Sequence, residues 1–403
     1  MSAVAGERRS LTTLREVVER LAPIDRAAAS AGEAEAATWL AGRLRDAGAE
    51  RVEIEAATCR PGFAPMLAGA SAAGAALGLA AMRRPGARPL AAAGGLALAA
   101  LVADDVSNGP RFLRRMTRPE RPTQNVVATI GDEDAPHTLV VLAHHDAANA
   151  GVIFDDHIQH AIADRFPGII ERSDTAPPMW ALVYGGPLLV GAGAITGLRP
   201  LTRIGTVLST LAAAALADFG RDRPVPGAND NLSGVAALVA IAERPAAEPI
   251  EGLRVVLASC GAEEVCQGGV YGFLEDHRDD LPREATTVIN LDTVGSPRLV
   301  LLEGEGCVVM RDYPEPGLRD MIADAADRIG VSLRRGQRAT SSTDSVLFSR
   351  AGYATATLVS FDYAKSLSNY HKMSDTPENL VYETVADAVD VTLAAASDLA
   401  QRG

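Results

Sequence analysis

Residues 139–147 read LVVLAHHDA, an apolar run that stops abruptly at two imidazoles, His144 and His145, and the carboxylate of Asp146. The run Leu139–Ala143 does not alternate in polarity, so it predicts a strand covered on both faces. Outward from it, similar runs stand at Val126–Ile130, Leu253–Ala258, Val288–Leu291 and Ala354–Ser360. Helical patterns fall between several of them, including Gly234–Glu243 and Leu318–Ile329. Upstream, Leu11, Leu14, Val18 and Leu21 share one helical face. Ser30 and Glu33 then stand at capping-box spacing before a helix that turns Trp39, Leu40 and Leu44 inward and ends near Gly48. Val52 and Ile54 alternate with glutamates, as in a half-buried strand. The pattern predicts an α/β fold with a mixed, mostly parallel central sheet flanked by helices.

Two regions break this pattern. Residues 61–82 and 89–103 carry no charge and are linked by RRPGAR; residues 176–198 and 204–217 repeat the arrangement around Arg199 and Arg203. They predict two inserted helical hairpins, at 58–118 and 176–217, that are apolar all round. The remaining segments, 1–57, 119–175 and 218–403, would form the α/β domain itself. A spanning helix needs roughly 20 apolar residues, and the first and third stretches reach that length. Either the segments 61–103 and 176–217 enter a membrane, or the same surface is buried against protein as a cap or a homo-oligomer contact. Arginines flank each stretch on both sides, so charge bias does not fix an orientation.

The net charge is −13, from 38 basic and 51 acidic residues, with no basic stripe. That argues against a nucleic-acid partner. The four cysteines, Cys59, Cys260, Cys266 and Cys307, fit no structural zinc spacing and read as free thiols. The N-terminus is charged and amphipathic, without the apolar core and cleavage site of a secretory signal. The expected location is therefore membrane-associated or cytoplasmic.

Five segments carry chemistry. The run 139–143 delivers His144 to the C-terminal end of a strand, the edge where open α/β sheets bind ligands. Asp146, two residues on, can orient that imidazole. In PGANDNLSGVAAL, Asp230 sits in a turn before an apolar helix, where Asp230, Asn231 or Ser233 could also serve as a plain helix cap. In VVLASCGAEEV a strand runs into adjacent Glu263 and Glu264. Paired carboxylates near a core repel each other, and a cation would stabilise one while the other takes a proton from water. Asp292 ends the run in TTVINLDTVGS, and Tyr370 and His371 lie in the polar SNYHKMSDTPENL. Oxygen and imidazole donors without thiolate suit zinc, manganese or cobalt in a hydrolytic site.

In this order, His144-His145-Asp146, Asn229-Asp230-Asn231, Gly261-Ala262-Glu263-Glu264, Asn290-Leu291-Asp292 and Tyr370-His371 resemble the motifs of metallopeptidase family twenty-eight. That family includes zinc aminopeptidases and glutamate carboxypeptidases. The likeness covers residues 10–57, 122–150 and 225–400. It implies a zinc exopeptidase-like fold acting on peptides, with two zinc ions per chain for which cobalt or manganese could substitute. Asp230 would bridge the ions; His144 and Asp292 would complete one site, Glu264 and His371 the other. Glu263 would be the general base, Asp146 would hold the His144 ring, Tyr370 would support the oxyanion and Asp344 would have a supporting role.

Departures accompany the likeness. The segment between Asp146 and Asp230 is much longer than is usual in the family, and both insertions could approach the entrance. His145 stands where the family often has an aromatic or apolar residue, and motif alignment favours His144 as the ligand. An aminopeptidase is the leading expectation. Glutaminyl cyclisation, dipeptidase or carboxypeptidase action, and a non-catalytic membrane scaffold are the alternatives.

Overall fold

A computed structural model describes residues 2–175, 178, 180–221, 223–247 and 250–401. Among the described residues nine strands run in chain order: β1 (Arg51–Cys59), β2 (Arg121–Gly131), β3 (His137–His144), β4 (Leu253–Cys260), β5 (Thr286–Leu291), β6 (Arg298–Glu305), β7 (Arg311–Asp312), β8 (Arg334–Ala339) and β9 (Ala354–Phe361). They form one mixed sheet in the order β1-β2-β4-β3-β5-β9-β6-β7, with β8 beside β6. The middle, β4-β3-β5-β9, is parallel, while β1, β2 and β6 pair antiparallel with their neighbours on that path.

The unalternating run in β3 divides between two layers. Leu139, Val141 and Ala143 enter one core with the helices Ser2–Leu21, Ala31–Asp46, Ser233–Ala247, Pro316–Ile329 and Tyr382–Ala400. Val140 and Leu142 enter the other, with Val270 and Phe273 of Gly268–Asp276 and Phe348 of Ser345–Ala351. Each fully buried aliphatic side chain contributes roughly 1.5–3 kcal/mol, so the five apolar runs set the middle of the sheet.

Three strands escaped the sequence reading. β6 is buried at its centre but flanked by charge; β7 has two residues. β8, RRGQRA, contains no large apolar residue; ion pairs from Arg335 to Glu303 and Arg338 to Asp312 hold it. β1 is wetter than expected: as an edge strand it leaves Ile54 39% exposed.

The four apolar stretches are helices, Phe63–Arg83, Arg88–Val106, Trp180–Thr196 and Arg199–Phe219, and they pack on one another as a bundle. Residues 176, 177 and 179 of the third stretch, and the chain ends 1 and 402–403, lie outside the described residues. Between β3 and the bundle, the unforeseen short helices His157–Arg165 and Pro167–Arg172 fill residues 157–172.

Two buried ionisable side chains tie the N-terminal region to the loops at the C-terminal edge of β3 and β4. The Ser30 Oγ accepts from the Glu33 N–H at 3.1 Å, as a capping box requires. The Glu33 carboxylate, however, accepts from Ala29 N (3.0 Å) and reaches across to Ala262 N (2.8 Å). Arg26 is fully buried and donates to the carbonyls of His145 (3.0 Å), Leu21 (2.6 Å) and Pro226 (2.8 Å). Burial lowers its pKa to about 10, against the pull of Asp375, Asp146 and Asp230. Replacing Arg26 strands several buried carbonyls, each costing about 1–3 kcal/mol. Arg26→Met is expected to destabilise the full chain by about 3 kcal/mol or more; an unchanged unfolding midpoint would show that the strap is dispensable.

Candidate metal centre

The parallel strands end together, and the loops that follow them carry the polar cluster. His144 is the last residue of β3, Asp292 follows β5, and Glu263 and Glu264 follow β4 after a turn in which Ala262 adopts φ +56°. Asp230 comes from the turn before Ser233–Ala247, and His371 (φ +52°) from the loop after β9. His144, Asp230, Glu263, Asp292 and His371 are all buried, and Glu264 nearly so.

The two oxygens of Asp230 face different imidazoles. Oδ1 lies 3.3 Å from His144 Nε2 and Oδ2 lies 3.1 Å from His371 Nε2, which is also 3.2 Å from Glu264 Oε2. Donor atoms of His144, Asp230 and Asp292 lie within 4.8 Å of one another, and so do those of Asp230, Glu264 and His371. Asp230 belongs to both triplets. Donors about 2.1 Å from a tetrahedral zinc stand roughly 3.4 Å apart, so these separations suit a shared cation. Among the described residues His371 Nε2, Asp230 Oδ2 and Glu264 Oε1 are buried without a hydrogen-bond partner. Buried polar atoms are rarely left so, and a cation would satisfy them. The donor set therefore fits divalent metal.

The helix-cap reading of the Asn229–Ser233 turn falls to Asn231. Its Oδ1 accepts from Gly234 N (3.0 Å) and Thr293 N (3.0 Å), leaving the Asp230 carboxylate free to face the cluster. Asp146 lies 3.3 Å from His144 Nδ1 but out of line for a hydrogen bond. Its aligned donors are the Glu263 and Glu264 N–H groups, each at 3.0 Å, so it also fixes the loop that carries both glutamates. His145 turns away: its Nδ1 is 3.0 Å from Ser259 Oγ, and burial pulls its pKa down to about 4. Asp344 is buried, with neither oxygen hydrogen-bonded among the described residues. Tyr370 stacks on His371 with ring centres 3.9 Å apart.

Sequence reasoning missed Arg26, Asp375 and Gln267, and read Glu33 only as a cap. Asp375 accepts from the backbone N–H of Asn229 (2.8 Å) and Asp230 (3.1 Å). Gln267 donates to Glu263 Oε1 at 2.6 Å. Each lies inside or beside a quoted motif, but only the folded contacts mark it out. The segment 152–165 was also missed. Its Ile153, Phe154, Ile158 and Ile162 face Leu302 and Phe361 across a cavity of about 470 Å³ that opens on the cluster. Phe154 meets the His371 ring edge-on at 4.2 Å, and Phe219, the last residue of a bundle helix, stacks parallel to it at 6.2 Å.

Charge crowding governs protonation here. Burial raises the pKa of Glu263, which His144 pulls back and Asp344 pushes further; burial takes Glu264 to about 7. Burial opposes ionisation of Asp230 too, but the two imidazoles outweigh it and hold that carboxyl below its usual range. Burial works against a charged His371, yet Glu264 and Asp230 raise it to about 10. Burial also raises Asp375 to about 7, and Glu33 and Glu305 to about 8. A carboxyl raised on folding contributes stability below its unfolded pKa and loses it as pH rises through its folded value. His145 has the opposite sign, with a contribution lost as pH falls from about 6.5 towards 4. The chelated protein should therefore melt progressively lower between about pH 6.5 and 8. Zinc should restore more at the upper end, because Glu264 and His371 must shed protons to ligate. A melting midpoint that stays flat over this range would contradict the assignment of charge.

Residues 212–396 match the family model described as Peptidase family M28. No protein of curated function matches the sequence. Among solved structures, the chain is similar to the Bacteroides thetaiotaomicron glutaminyl cyclase bound to N-acetylhistamine, with a TM-score of 0.56 and 15% identity over 96% of this chain and 97% of that one. It is similar to the aminopeptidase from Aneurinibacillus sp. strain AM-1, with a TM-score of 0.55 and 13% identity over 97% and 94%. LapB from Legionella pneumophila gives 0.54 and 16% over 96% and 70%. At such identities the likeness is one of fold, and the fold is that of zinc exopeptidases and glutaminyl cyclases. Residues 212–396, a little under half of the chain, are thus similar to peptidase family M28, on a chain that shares the zinc exopeptidase fold.

Proposed function

We propose that this protein is a dinuclear zinc aminopeptidase. The observation that carries the reading is the pair of buried donor triplets sharing only Asp230. His144 and Asp292 would hold one ion with Asp230, and Glu264 and His371 the other. When bound, the ions would supply Lewis acidity and a water of lowered pKa.

The chain's own residues supply the remaining chemistry. Glu263 lies 3.9 Å from His144 and is hydrogen-bonded by Gln267, which aims its carboxylate. As general base it takes the proton of the attacking water and returns it to the departing amine. Asp146 keeps Glu263 and Glu264 in place through their backbone. Tyr370 lies on the cavity wall and would donate to the developing oxyanion.

The lining favours an amino over a carboxyl terminus. Asp155, Asp156, Asp230, Glu263, Glu264 and Asp292 border the cavity, against a single cationic side chain, Lys365, among the described lining residues. Lys365 donates to the carbonyls of Glu171 (3.3 Å) and Ser173 (2.5 Å). Among the described lining residues a terminal carboxylate therefore meets no free ammonium or guanidinium, Lys365 being held on backbone carbonyls, and the lining suits an uncharged or aminic end better. The isoleucines and Phe154 offer an apolar wall to the N-terminal side chain.

Glu263→Gln is expected to keep two zinc ions per chain by elemental analysis and to lose about 10²–10⁴-fold in kcat on aminoacyl anilides. Wild-type-like turnover in that variant would remove the proposed base. Acetylating the substrate's α-amine is expected to abolish cleavage. Efficient hydrolysis of the blocked peptide, or one zinc per chain with cyclisation of N-terminal glutamine, would overturn the aminopeptidase reading.

A further inference from the structure

The bundle of Phe63–Arg83, Arg88–Val106, Trp180–Thr196 and Arg199–Phe219 combines close small-residue contacts between its helices with large aliphatic side chains on its outside. Between its helices, small and hydroxylic side chains sit beside a few large ones, Leu67, Val102, Val183, Val190 and Leu216. A Cβ on Gly95 would come within 2.7 Å of the Gly191 backbone, and one on Gly205 within 2.6 Å of Val190. Ser71 and Ser209 are buried in it, and Thr206 Oγ1 donates back to the Thr202 carbonyl at 2.7 Å. Other large aliphatic groups point outward: Ile195 is 62% exposed, Leu211 55%, Val207 52% and Ile204 50%. In water the large side chains belong inside. Small and hydroxyl-bearing contacts with aliphatic exteriors are the arrangement of helices packed in lipid, where close backbone approach rather than apolar burial drives association.

Length and charge agree. Phe63–Arg83 and Arg199–Phe219 have 21 residues each, about 31 Å at 1.5 Å per residue, against a hydrocarbon core of about 30 Å. No Asp, Glu, Lys or Arg occurs in 61–82, 89–103, 180–198 or 204–217. The hairpin tips, which meet where Arg88 approaches Gly197, carry Arg83, Arg84, Arg88, Arg199 and Arg203 with no acidic residue. Among the described residues none of these five arginines forms an ion pair, and lipid phosphates would complement them. At the opposite end, Trp180, Tyr184 and Phe63 gather beside the catalytic body, the interfacial place that aromatic rings favour.

We propose that this four-helix unit spans a lipid bilayer and holds the metal centre at the membrane surface. The hairpin tips then emerge on the opposite side. The test uses the full chain in vesicles of phosphatidylcholine and phosphatidylglycerol. It is expected to stay with the vesicles through alkaline carbonate and to leave only with detergent. Gly86 lies at a tip with nothing within 4 Å of an added Cβ, so Gly86→Cys should fold normally. In sealed vesicles whose catalytic domain is digested by external protease, a membrane-impermeant maleimide should label Cys-substituted chains above the wild-type background only after lysis. A detergent-free, monodisperse monomer or dimer that does not bind vesicles would overturn the proposal and show that protein covers this face. Equal labelling of sealed and lysed vesicles would overturn the spanning arrangement.

Discussion

The molecule is organised around a concentration of negative charge that would be untenable without compensation. Asp230, Glu263, Glu264, Asp292 and Asp344 are collected at one edge of the sheet, out of water. Repulsion and desolvation both oppose their ionisation. Two imidazoles, one on each oxygen of Asp230, relieve part of it. Cations would relieve the rest, which is why the same cluster is costly as bare protein and suited to hydrolysis when loaded.

Such a cluster needs a rigid frame. Arg26 holds the backbone after β3 and before the Asp230 turn; Asp375 holds the N–H groups of that turn; Glu33 and Asp146 hold the loop of Glu263 and Glu264. Charged side chains are used here mainly as hydrogen-bonding struts to the main chain. Through such a strut Glu33, near the N-terminus, holds the backbone of Ala262, 229 positions later.

Much of this was legible in the chain. The apolar runs at 126–130, 139–143, 253–258, 288–291 and 354–360 became strands because burial on both faces leaves a continuous apolar signature. His144, Asp230, Glu264, Asp292 and His371 could be picked out because each follows such a run or sits in a turn beside it. β8 could not, because charge pairs and not apolar packing hold it. Arg26 and Asp375 were hidden for a related reason: a buried charge looks like a solvated one until its partners, up to about 200 residues away, are in place. The inserted segments were visible as apolar hairpins, but nothing in their composition showed that they pair with each other.

The aromatic packing around His371 has a practical corollary. Phe154 and Tyr370 border the imidazole, and Phe219, at the foot of the helix Arg199–Phe219, lies parallel to it. Trimming the hairpins away to obtain a smaller, better-behaved catalytic fragment would strip one flank from this ring and admit solvent beside it. An inactive fragment made in that way would report lost packing around His371, not the absence of an enzyme.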